Sequence, residues 1–155
     1  MVRTVAMVMT ILLGACGDDA SPAGGTDAGG MAGGGMCDND SDRAALQRTY
    51  DPGMREVPAV ARDCAIDVCL SAPEEMAEQC MNDCITDMTD LSNACATCVT
   101  RSVGCVRDNC LSRCLGDPDG ADCLACQCGD NAMGIDCREE YNACSGVPSD
   151  DCAGM

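Results

Sequence analysis

Between Cys80 and Cys126 one cysteine spacing occurs twice: Cys80 and Cys84 precede Cys95 and Cys98, and Cys110 and Cys114 precede Cys123 and Cys126. Each copy reads Cys-x3-Cys, a gap, then Cys-x2-Cys. Steps of three and four residues place both cysteines of a pair on one face of a helix, so the spacing asks for paired helices with sulfur along their contact. The chain has 17 cysteines, about 11% of its residues and above the level at which a short exported chain reads as a disulfide scaffold. Composition offers little else to build a core from. There is no Phe and no Trp, and Tyr50 and Tyr141 are the only aromatic residues, so the largest burial contributions are missing.

Charge narrows the partners. Nine Arg, no Lys and 26 acidic residues give a net charge of −17. Such a field repels phosphate backbones and anionic lipid surfaces, which argues against nucleic acid as a partner. It suits solubility on a crowded surface, and the acidic faces suit a basic protein partner or divalent cations.

The chain opens with Arg3 and a nine-residue apolar run, Val5 to Leu13, far short of the ~20 residues that span a bilayer. The run meets Leu13-Gly14-Ala15-Cys16. This resembles the lipobox of bacterial lipoproteins: a branched apolar residue, two small residues, then an obligatory Cys. The resemblance implies diacylglycerol transfer to the Cys16 thiol, cleavage between Ala15 and Cys16, and acylation of the new amino terminus. It thereby implies a lipid-anchored product exported to the cell envelope and held on the membrane by its acyl chains. Gly17, not Asp, follows Cys16, which by resemblance to enterobacterial sorting rules favours the outer membrane. Four regions are therefore expected: signal peptide 1–15, lipidated Cys and Gly/Asp-rich flexible linker 16–36, cysteine-rich domain 37–152, and disordered tail 153–155.

Within the domain the patterns are helical and none alternates over strand length, so the fold class expected is all-α: a small disulfide-rich domain of short helices. Ser41 or Asp42 reads as the N-cap of a helix ending near Tyr50, closed by the turn Asp51-Pro52-Gly53. A second helix is expected from Pro58 to about Leu70, carrying Cys64 and Cys69. Ser71-Ala72-Pro73-Glu74 reads as a capping box opening helix 73–89, on which Ala77, Cys80, Met81, Cys84 and Met88 share a face. Leu91, Cys95, Cys98, Ser102 and Cys105 continue the pattern over 91–103. Gly104 reads as a break before 105–115, with Gly116 as a left-handed C-cap. Short helices follow over 121–127 and 136–144. Asp38, Asp40 and Asp42 mimic the opening of an EF-hand loop, but Arg43 stands where Gly is needed and Thr49 where a bidentate Glu is needed, so the match fails.

Cys16 apart, sixteen cysteines remain, enough for eight disulfides. If helices 73–89 and 91–103 fold back as an antiparallel hairpin, nested bridges Cys84–Cys95 and Cys80–Cys98 are expected. The same logic gives Cys114–Cys123 and Cys110–Cys126. This resembles the twin-disulfide helical hairpins of small plant defence peptides and mitochondrial twin-cysteine proteins, although the second half here is Cys-x2-Cys. Cys37, Cys64, Cys69, Cys105, Cys128, Cys137, Cys144 and Cys152 are left, and spacing does not choose among their 105 pairings.

The rival reading is thiolate metal binding. Cys95-x2-Cys98 and Cys123-x2-Cys126 each offer half of a tetrahedral site, and Cys-x3-Cys on helices resembles bacterial copper-storage bundles, with Met as an additional soft ligand for Cu(I). An even cysteine count, an oxidising compartment and a leader without twin Arg weigh against it. Redox chemistry of the thioredoxin type lacks its strand-to-helix context. Without a single His there is no imidazole base and no Ser-His-Asp machinery, and the paired carboxylates sit at helix starts and in tails. No enzyme, resident metal or cofactor is therefore expected. The chain reads as an exported lipoprotein with a disulfide-stapled structural or binding domain, the alternative being a Cu(I) or Zn thiolate protein.

Overall fold

The computed structural model describes residues 34–50, 53–148 and Cys152. The expected leader, the cleavage point at Ala15 and Cys16, the linker before residue 34, the turn residues Asp51 and Pro52, and the tail 153–155 lie outside the described residues. The rest is all-helical: α1 Asp40–Leu46, α2 Val57–Asp63, a π-turn Cys64–Val68, α3 Glu74–Met88, α4 Asn93–Cys114, α5 Ala121–Gln127 and α6 Cys137–Ser145. Among the described residues no strand forms, only the isolated bridges Tyr50–Arg55 and Cys128–Asp136.

Several helix boundaries depart from the sequence expectation. α1 is capped by Asn39, whose side chain accepts from the Asp42 amide, and it ends at Leu46. Asp42 is freed for another role: its carboxylate accepts from the Ser92 amide and the Ser92 hydroxyl, each at 2.7 Å, and from the Asn39 amide group at 2.6 Å. Ser92 is itself the N-cap of α4, accepting from Cys95 N. One buried carboxylate thus fixes the start of two helices that are 50 residues apart in sequence.

The expected capping box is not used. α3 starts at Glu74 with Pro73 in the cap position and no side-chain cap, because Ala72 N bonds Cys69 O and closes the preceding turn. Gly104 does not break α4, which runs unbroken for 22 residues. Bridges Cys98–Cys144 and Cys105–Cys137 clamp α6 across both sides of that glycine, offsetting the ~1 kcal/mol that a helical glycine costs. Gly116 does not take the left-handed conformation; Gly146 does, at φ 71°, closing α6. There Gly35 packs so closely that any side chain on it would run into the Ser145 and Gly146 backbone. Met36 N and Cys37 N bond Cys144 O and Ser145 O at 2.9 Å, so Met36, expected in the linker, is already docked.

Eight disulfides use all sixteen cysteines from Cys37 onward. The nested pair Cys110–Cys126 and Cys114–Cys123 is present. The other expected pair is not: Cys84 bonds Cys64, Cys80 bonds Cys69, Cys95 bonds Cys37 and Cys98 bonds Cys144. The broad apolar face of α3 is in fact divided. Cys80 and Cys84 turn to the π-turn, while Met81 and Ile85, one residue further on, join Leu91, Ala96 and Val99 in the aliphatic cluster. The π-turn makes the first pairing feasible. Residues five apart diverge by about 140° around an α-helix, but the i→i+5 bond from Cys69 N to Cys64 O widens the turn until both sulfurs meet α3.

Among the described residues ten of the nineteen buried apolar ones are half-cystines, so sulfur occupies the space that aromatic rings fill elsewhere. The distribution is uneven. Val57, Val60, Met81, Ile85, Leu91 and Val99 form a cluster in the first part of the chain, whereas among the described residues beyond 100 the buried apolar ones are Cys105, Cys110, Cys123, Cys126 and Cys137. Each bridge contributes from about 2.5 kcal/mol for the 9-residue separation of Cys114–Cys123 to about 4 kcal/mol for the 58-residue separation of Cys37–Cys95 in the chain-entropy model. Replacing Cys110 and Cys126 together by Ser is expected to cost about 3 kcal/mol and to melt α5, too short to persist alone. Hydrogen exchange would show protection lost over 121–127 but kept over 81–99.

Asp42 gives a second test. Burial pushes its carboxyl up, but the hydrogen bonds from the Ser92 amide, the Ser92 hydroxyl and Asn39 outweigh that and hold its pKa below the ordinary aspartate value. Its stabilisation is therefore present above the unfolded pKa of about 4 and is lost as pH falls through the lower folded value. Asp42→Asn is expected to lose about 2 kcal/mol at pH 7 and to show a smaller drop in Tm than the parent on acidification from pH 5 to 2.

Candidate functional site

The disulfides divide the molecule in an unexpected way. Cysteines of residues 57–88 are bridged only to one another, and those of 93–152, with Cys37, only among themselves. Among the described residues the two groups are joined by the backbone and by non-covalent packing of α2 and α3 on α4, the larger seam being that of α3. Near its turn the seam is closed by Met81, Ile85, Ala96 and Val99 inside and by an Asn82–Asn93 side-chain bond at the edge. Away from the turn it opens into a groove of about 970 Å³.

The groove floor is apolar and small: Ala65, Ala72, Ala77, Met81, Val103 and Gly104. One wall, from α3 and the turn that precedes it, carries Leu70, Glu74 and Glu78; the other, from α4 and α6, carries Arg101, Arg107, Asp108 and Glu140. Leu70 is 78% exposed, and Ile66, Val68 and Met76 on the same stretch are each more than half exposed. Arg107 is held by Asp108 at 2.8 Å. That hydrogen bond and the Asp108 charge, with a further contribution from Glu74 across the groove, raise its pKa.

Thr100 sits in the seam with its side chain buried, and its hydroxyl has no hydrogen-bond partner. The contrast with its neighbours is informative. Thr86, Thr89 and Thr97 each donate to the carbonyl four residues earlier, the usual resolution for a helical threonine.

The thiols proposed for metal do not meet as a site. Cys95 and Cys98 go to different partners, as do Cys123 and Cys126, and no group of three or more metal-capable His, Cys, Asp or Glu side chains gathers among the described residues. No helix among them is long and apolar enough to cross a membrane. The lipidation and cleavage residues Cys16 and Ala15 are outside the described residues. Two site features escaped the sequence reading. Ser92-x-x-Cys95 carries an N-cap signature that would have placed the start of α4. The equal Cys-x6-Cys spacings at 98/105 and 137/144 would have paired α4 with α6.

No family model matches the chain, and no curated protein or solved structure matches it.

An unpartnered buried hydroxyl is costly, and removing it relieves that cost. Thr100→Val, nearly isosteric, is expected to raise stability by about 1 kcal/mol, a shift of several degrees in Tm read by calorimetry; a lower Tm would show that the hydroxyl is satisfied after all.

Proposed function

We propose that this chain is an exported bacterial lipoprotein whose disulfide-stapled helical domain has a non-enzymatic structural or binding role at the cell envelope. Eight intrachain disulfides belong to an oxidising compartment. The observation that carries the rest is arithmetic: of 17 cysteines, sixteen are paired with one another, and the one left is Cys16, at the lipobox-like Leu13-Gly14-Ala15-Cys16. A thiol consumed by lipid leaves the others an even set. Loss of Arg3 with the leader makes the mature chain one unit more negative, a charge that suits a soluble domain held off an anionic bilayer. The Gly17 neighbour of Cys16 favours the outer membrane.

Intact mass tests both parts. Protein from its native envelope is expected to begin at Cys16, to carry the mass of diacylglyceryl and an N-acyl chain, and to take up no alkylating agent until reduced. Cys16→Ser is expected to leave the membrane fraction; a variant that still partitions into detergent refutes the anchor. Thiols that alkylate without reductant and release metal to a chelator would favour thiolate storage instead.

A further inference from the structure

We infer that the groove between α3 and α4 docks a cationic amphipathic helix of a partner protein. Among the described residues no disulfide crosses the α3–α4 seam that ends in this groove, so its walls can separate slightly without breaking a bond. Its floor of Ala65, Ala72, Ala77 and Gly104 lets another helix approach closely, and Leu70 stands exposed at one lip to meet an apolar side chain. Thr100, whose hydroxyl is buried without an internal partner, lies between this groove and the smaller one beside it.

Charge selects the occupant. Arg107 is paired with Asp108 and also feels Glu74 across the groove, yet the rim as a whole stays acidic, with Glu74, Glu78, Asp108 and Glu140 against Arg101 and Arg107. A second copy of this chain, at −17, is repelled, and so is an anionic membrane surface. From Thr100 to Asn109 the α4 wall offers about 15 Å, roughly three turns of a helix. A segment with leucine-like residues on one face and Lys or Arg beside them matches the apolar floor, the exposed Leu70 and the acidic rim.

This deepens the binding side of the proposed function, and the test is independent of the anchor because it uses the full exported, oxidised chain carrying Cys16→Ser. The probe is a labelled 14-residue peptide of leucine and lysine arranged as a one-sided helix, with a scrambled peptide of the same composition as control, followed by fluorescence anisotropy. The patterned peptide is expected to bind at least about tenfold more tightly than the scrambled one. Ala77→Trp, which fills the floor, and the surface pair Glu74→Lys with Glu78→Lys are each expected to weaken it about tenfold; Leu111→Ser, outside the groove, is expected to leave it unchanged. Should the tryptophan variant fail to oxidise fully, the charge-reversed pair decides. Equal binding of the two peptides, unaltered binding by the charge-reversed chain, or no binding by the parent overturns the docking site while leaving the lipid anchor to its own test.

Discussion

A disulfide holds two Cα atoms within about 6 Å, and α4 carries five such constraints along its 22 residues, to Cys37, Cys144, Cys137, Cys126 and Cys123. The partners come from the N-terminal segment, α6 and α5, so one helix sets the position of nearly every element in the second half of the domain. The chemistry explains why it must. Among the described residues past 100 no aliphatic side chain is fully buried to hold α5 and α6 in place, and helices of 7 and 9 residues do not persist on local hydrogen bonds. Covalent geometry takes over the work that burial does in an ordinary core.

The first half is built by a different balance. There the two bridges between the π-turn and α3 work alongside an aliphatic cluster, and the junction to α4 depends on burial and on Asp42. That carboxylate satisfies the Ser92 amide and hydroxyl while staying charged in a buried site, which is tolerable because three donors surround it. Removing any one donor would leave the charge less fully compensated. The arrangement also ties α1 to the turn at which the α3–α4 seam closes, so the seam is firm at one end and open at the other. That asymmetry is what turns a helix–helix contact into a groove.

The all-α class and the disulfide scaffold could be read from the cysteine steps, because helical periodicity is local information. The hairpin at 110–126 was legible for the same reason: its two halves are adjacent and lie on α-helical spacings. The first hairpin was not. Its reading assumed that neighbouring helices share their cysteines, whereas Met81 and Ile85 offered α4 a better contact and released Cys80 and Cys84 to the π-turn. Nothing in the spacing of Cys64 and Cys69 announces a π-turn, since five residues is a poor fit to an α-helix. Gly104 misled in the opposite direction, its local preference overruled by two bridges to α6. The groove was invisible because its floor consists of alanines and a glycine whose meaning lies in what they leave empty.

The docking of Gly35 and Cys37 at the end of α6 has a mechanical consequence. Tension arriving from the N-terminal side meets the domain at Gly35–Met36 and passes through Cys37–Cys95 directly into α4. Residues 38–94 form a closed loop off that path, so α1, α2 and α3 bear no load while the bridge stands. A domain pulled from the N-terminal side of Gly35 would therefore keep its seam and groove undeformed, and the point of yielding would be set by sulfur bonds, not by helix packing.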